Sequence, residues 1–92
     1  MFRNSQYNIK IFGAVQGVSF RYYTQEQAQK LNITGFVRNE PDDTVYIEAE
    51  GDDKALAQLT EWCKKGPSFG KVEKVEVRKG EVKNFKDFKI DY

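Results

Sequence analysis

The sequence contains no histidine and only one cysteine, Cys63. Without histidine the chain lacks the commonest general base, the Ser-His and Cys-His nucleophile pairs and the usual zinc ligand. A single cysteine excludes an internal disulfide, which fits a reducing compartment. No apolar run has the length of a membrane-spanning helix, and the first residues show no apolar signal region. We therefore expect a cytoplasmic protein with no membrane partner and no metal site.

The charged residues nearly cancel, because 15 Lys and Arg stand against 14 Asp and Glu. A balanced surface has no general attraction for nucleic acid or anionic membranes, so any anion must be bound by a local arrangement of groups. The length of 92 residues favours a single domain over residues 1–92, which is enough chain for one hydrophobic core without metals or disulfides.

Hydrophobic periodicity predicts strands at 7–13, 36–38, 44–50 and 72–79, helices at 20–31 and 54–65, and a short closing strand near Ile90. The order βαββαβ is that of the ferredoxin-like α+β fold, in which two helices cover one face of an antiparallel sheet. A strand-helix-strand crossover joins parallel strands, so the first two strands should finish at the same end of the sheet. In the third strand, two sets of residues alternate. The first set, predicted to face inward, is Val45, Ile47 and Ala49. The second set, predicted to face outward, is Tyr46, Glu48 and Glu50.

A glycine-bearing loop, residues 14–19, joins the first strand to the first helix. The N–H groups at a helix N-terminus lack partners and, with the helix dipole, favour an anion. Gly17 is expected to adopt a positive φ, and Ser19 is expected to cap the helix. The planar fork of Arg21 fits a phosphate. The sequence thus predicts a phosphate-binding segment formed by Val15, Gln16, Gly17, Val18, Ser19, Phe20 and Arg21.

Asn39 directly follows the second predicted strand and should therefore lie near this loop, with a side-chain amide that binds water or ligand. Each of these residues also has an ordinary structural interpretation. Glycines are common in strand-to-helix turns, a solvated arginine tolerates a small conflict with the helix dipole, and asparagine often precedes a turn. The expected convergence of Arg21 and Asn39 favours a functional site.

The two segments that carry these residues resemble motifs of the acylphosphatase family. Residues 13–21, G-A-V-Q-G-V-S-F-R, are similar to the signature G-x-V-Q-G-V-x-F-R, and residues 35–39, G-F-V-R-N, are similar to the second motif. The resemblance covers essentially the whole chain. One difference is Asp43, which stands where the family usually has glycine.

The resemblance implies hydrolysis of acyl phosphates to a carboxylate and inorganic phosphate, with no metal and no cofactor. In the family, the arginine matching Arg21 binds the phosphate together with loop N–H groups. The asparagine matching Asn39 positions the attacking water. The expected partner is a small acyl phosphate, and the expected state is a monomer.

The alternative is a non-catalytic anion- or RNA-binding ferredoxin-like module, with Phe12 and Tyr46 on the open face of the sheet. The RNP1 pattern is absent, Glu48 and Glu50 lie on the same strand as Tyr46, and the net charge is only +1. We therefore expect no nucleic-acid partner.

Overall fold

The computed structural model describes residues 4–17, 19–67 and 70–92. Its elements follow in the predicted order and lie close to their predicted positions. The helices are α1 (Phe20–Lys30) and α2 (Asp53–Lys65), and the strands are β1 (Ser5–Ala14), β2 (Thr34–Asn39), β3 (Val45–Gly51), β4 (Lys71–Gly80) and β5 (Phe88–Asp91). The predicted ferredoxin-like α+β fold with an added closing strand is confirmed.

The five strands form one sheet in the order β4-β1-β3-β2-β5. Both β1 and β2 pair antiparallel with β3, so they run parallel to each other. The loop after β1 and the turn after β2 therefore lie at the same end of the sheet, as the sequence predicted. The closing strand β5 pairs with β2 in parallel, so the sheet is antiparallel over its first four strands and mixed at this edge.

One hydrophobic core lies between the sheet and the two helices. Residues that alternate along β1 and β3 are fully buried, and the helices contribute residues at helical spacing. Cys63 belongs to this core, and burial raises the pKa of its thiol. Among the described residues, no helix is long and apolar enough to cross a membrane. The core includes Ile9, Ile11, Phe20, Ala28, Val45, Ile47, Ala49, Leu56 and Leu59.

The crossover segment, residues 81–87, links β4 to β5 and so passes from one edge of the sheet to the other. It covers Glu48 and Glu50, which alternation places on the face of β3 away from the helices. Both glutamates are buried, and Glu50 is only 1% exposed. The prediction of the face was right, but the side chains do not contact solvent freely because the crossover segment lies over them.

The Glu50 carboxylate fixes the crossover segment to the sheet. It accepts hydrogen bonds from the side-chain amide of Gln6 at 2.9 Å and from the backbone N–H groups of Lys83 and Phe85. Burial by itself raises the pKa of a carboxyl group, but these hydrogen bonds outweigh burial and hold the pKa of Glu50 below its usual value. Glu50 is thus a charged group in a nearly closed site, stabilised by donors on both sides.

We predict that Glu50→Ala lowers the free energy of unfolding by about 3 kcal/mol, because the buried donors lose their acceptor. Urea unfolding at neutral pH measures this loss. The matched control is Glu81→Ala in the same segment, where the side chain is exposed. The control should change stability by less than about 0.5 kcal/mol.

The stabilisation by Glu50 should also depend on pH. A carboxyl group whose folded pKa lies below its unfolded value, about 4.3, stabilises the protein above that value. The stabilisation is lost as the pH falls through the folded pKa. The difference between wild type and Glu50→Ala should therefore narrow below about pH 4. A difference that stays constant from neutral pH down to acid unfolding would contradict this account of Glu50.

Candidate active site

The loop between β1 and α1 is held at both ends by buried side chains. Val15 is fully buried at its start, and Phe20 is buried at its end, where its ring packs 5.5 Å from that of Trp62. Between them, Gly17 has a φ of 76° and Ser19 a φ of 60°. Left-handed residues in a loop let successive N–H groups turn towards a common side. The positive φ predicted for Gly17 is confirmed, whereas Val18 lies outside the described residues.

The N-terminus of α1 carries no cap from its own side chains. Ser19 occupies the N-cap position but has left-handed backbone angles and makes no side-chain hydrogen bond to the helix. The prediction that Ser19 caps the helix was therefore wrong, because a capping serine normally has extended backbone angles. The first turn of α1 contains no acidic residue either. The positive end of the helix dipole is left uncompensated by its own residues.

Arg21 is the second residue of α1 and is partly exposed. Among the described residues, the ion pairs include Lys10, Arg38 and Lys74 but not Arg21. The guanidinium carbon of Arg21 instead lies 4.8 Å from the centre of the Tyr92 ring. Arg21 thus places a positive charge at the positive end of the helix dipole. Among the described residues, it has no acidic partner. This arrangement favours the binding of an anion.

Gln16 ties the loop to the turn between β2 and β3. Its side-chain amide donates to the carbonyl oxygens of Glu40 at 2.9 Å and Thr44 at 2.8 Å. Since Glu40 directly follows Asn39, the tether brings the loop against the end of β2, where the partly buried Asn39 lies. Gln16 was predicted as a phosphate ligand. Its side-chain N–H groups bind the turn, so its backbone N–H is the group left to contribute to an anion site.

The turn itself tolerates aspartate in place of glycine. Asp43 has a φ of 70°, a left-handed conformation that aspartate adopts more readily than most residues. Asp43 lies beside the loop, because both line one cavity of about 280 Å³. That cavity is lined by Gly13, Ala14, Val15, Gln16 and Asp43.

Asp42 stabilises the same turn. Its carboxylate accepts hydrogen bonds from the hydroxyl and the backbone N–H of Thr44, and it pairs with Lys10 at 2.9 Å. The Thr44 hydroxyl, followed by Lys10, lowers the pKa of Asp42 to about 2. In the described ranges of the chain, no three His, Cys, Asp or Glu side chains are grouped so that they could hold a metal ion.

We predict that Gln16→Ala lowers the free energy of unfolding by about 1–3 kcal/mol, because two hydrogen bonds between the loop and the turn are lost. Urea unfolding measures the change. Gln29→Ala is the control, since Gln29 is exposed on α1. Its effect should stay within about 0.5 kcal/mol. Equal stabilities of Gln16→Ala and wild type would show that the tether contributes nothing.

Comparison with known proteins assigns this chain to a family. The family model for acylphosphatase matches residues 7–90. An acylphosphatase from Bacillus licheniformis is 46% identical over 88 residues, covering 95% of this chain and 98% of that protein. The crystal structure of acylphosphatase from Bacillus subtilis superimposes with a TM-score of 0.93 at 39% identity, covering 96% of this chain and 99% of the other.

A larger protein contains a similar unit. Full-length HypF, solved in its phosphate- and nucleotide-bound form, matches the whole of this chain with a TM-score of 0.94 and 39% identity, over 12% of its own length. The matched length, the sequence identity and the fold agree with the two motifs at the ends of β1 and β2. The chain belongs to the acylphosphatase family.

Proposed function

We propose that this acylphosphatase hydrolyses the carboxyl-phosphate bond of acyl phosphates at the N-terminus of α1. The single observation that carries the proposal is the uncompensated positive helix end, which faces left-handed loop residues and bears Arg21. Asn39 lies at the same end of the sheet. The group expected there is a phosphate, because it accepts several N–H donors at once and carries the charge that the dipole and the guanidinium both attract.

The phosphate would be held by backbone N–H groups and by Arg21. The side chains of Val15 and Phe20 are buried in the core, so these residues contribute through their main chain. The N–H groups of Gln16, Gly17, Val18 and Ser19 complete the proposed set. The guanidinium and the helix dipole repel each other, and a bound phosphate would remove that conflict. The fork of Arg21 would then contact two phosphate oxygens.

Asn39 would position the attacking water by accepting a hydrogen bond from it or donating one to it. The water oxygen attacks phosphorus in line with the acyl oxygen, the bond between phosphorus and that oxygen breaks, and the carboxylate leaves. A phosphate oxygen takes the proton of the water. Because the leaving carboxylate is weakly basic, positioning and charge stabilisation carry the reaction and no histidine is needed.

In this mechanism Arg21 and the N–H groups supply the positive charge, so the proposal requires no metal ion and no cofactor. We further propose that residues 1–92 act as one acylphosphatase domain, as a monomer in the cytoplasm. The proposed partner is a small acyl phosphate. These points agree with the balanced charge and the single cysteine of the chain.

The open face of the sheet does not favour nucleic acid. Lys10 and Lys74 flank the ring of Phe12, at 5.5 and 5.2 Å from its centre. Each of these cations is already paired, Lys10 with Asp42 and Lys74 with Glu76. Paired cations offer little net charge to a phosphate backbone, whose contacts dominate the affinity for nucleic acid. The observations on this face therefore support the enzyme over an RNA-binding module.

We predict that Arg21→Ala lowers kcat/KM for benzoyl phosphate at least about 100-fold, because a charged donor to the transition state is lost. Hydrolysis is measured in the presence of EDTA. Arg78→Ala is the matched control, since Arg78 is an exposed arginine on β4. It should keep wild-type turnover.

Circular dichroism and urea unfolding establish that both variants fold. Turnover that survives in folded Arg21→Ala would contradict the assignment of Arg21. Wild-type turnover that disappears in EDTA and returns with added metal would contradict the metal-independent mechanism.

A further inference from the structure

Tyr92 lies outside the core and contacts the charged group of the site. The residue follows β5 directly, and 93% of its surface is exposed. The guanidinium carbon of Arg21 lies 4.8 Å from the centre of its ring, well within the range of a cation–π interaction. So exposed a ring gains little from burial. Its contact with Arg21 therefore calls for an explanation of its own.

The fold brings this ring to α1 through two sets of contacts. β5 pairs with β2, with Ile90 opposite Val37 and Asp91 opposite Arg38. The side-chain amide of Gln25 donates to the carbonyl oxygen of Phe88 at 3.0 Å. Gln25 lies one helical turn after Arg21, so both residues lie on the side of α1 that meets β5.

A ring suits this position better than a carboxylate would. A stacked cation–π contact uses the face of the guanidinium plane, whereas a phosphate binds the N–H groups at its edge. The two interactions can therefore exist together. A carboxylate would bind the same edge as the phosphate and would cancel the charge that the phosphate needs. Among the described residues, no acidic partner of Arg21 is present.

We propose that Tyr92 is a positioning residue that restrains the guanidinium of Arg21 without neutralising it. The inference rests on the proposed function, because it assigns Tyr92 a role at the same anion site. An exposed cation–π contact changes an equilibrium by about two- to fivefold. We therefore expect Tyr92→Leu to weaken the binding of inorganic phosphate and to lower kcat/KM for benzoyl phosphate by about two- to fivefold each.

Three variants test whether the aromatic ring of Tyr92 causes the expected losses of phosphate affinity and kcat/KM. Tyr92→Phe keeps the aromatic face and should stay close to wild type in both measurements, whereas Tyr92→Leu should not. Tyr22→Leu is the control, because Tyr22 is an exposed aromatic on the same turn of α1 whose ring contacts Tyr23 at 5.2 Å. Its activity should be unchanged. Urea unfolding should give similar midpoints for all three, since both tyrosines are exposed.

The Nε–H resonance of Arg21 in an NMR spectrum gives a readout that does not depend on turnover. The Tyr92 ring should shift this resonance, Tyr92→Phe should keep the shift, and Tyr92→Leu should remove it. The proposal is overturned if Tyr92→Leu binds phosphate as tightly as wild type. It is equally overturned if Tyr92→Phe loses as much affinity as Tyr92→Leu. If wild type binds phosphate but does not hydrolyse benzoyl phosphate, the proposed function fails, and the phosphate affinities and the resonance still decide the role of Tyr92.

Discussion

The positive end of α1 is the feature on which the site depends. The first turn of α1 has no acidic residue and Ser19 does not cap it, so the described residues leave its N–H groups and its dipole uncompensated. Arg21 adds a second positive charge at the same point, which is unfavourable until an anion arrives. This small electrostatic conflict supports the proposal that a phosphate binds here, and the rest of the fold keeps the conflict from relaxing.

The fold restrains the site in four ways. The buried side chains of Val15 and Phe20 fix both ends of the loop in the core, and Gln16, next to Val15, ties the loop to the turn between β2 and β3. β3 lies between β1 and β2, so the loop and Asn39 share one end of the sheet. On the far side, Glu50 fixes the crossover segment that carries the chain to β5 and Tyr92. The proposed site consists mostly of main-chain donors and needs such restraints, because the backbone alone sets the positions of its N–H groups.

The sequence predicted the order of elements, the core faces and the convergence of the two motifs, because periodicity and crossover topology are local or nearly local properties. It did not predict the tether of Gln16, the buried state of Glu50 or the contact between Arg21 and Tyr92. Each of these joins residues that are far apart in the chain, and nothing in the local pattern of a glutamine, glutamate or tyrosine marks its distant partner. The failure of Ser19 as a cap has another cause, since its backbone angles follow from the loop and not from serine's own preference.

The proposed mechanism divides the work between Arg21, which holds the phosphate, and Asn39, which positions the water. The most direct test is to measure phosphate affinity and benzoyl phosphate turnover on the same folded Asn39→Ala protein. We expect phosphate affinity within about twofold of wild type and turnover lower by at least about 100-fold, since an orienting group is lost while the anion site remains. Loss of phosphate affinity together with turnover, or turnover that persists, would contradict the division.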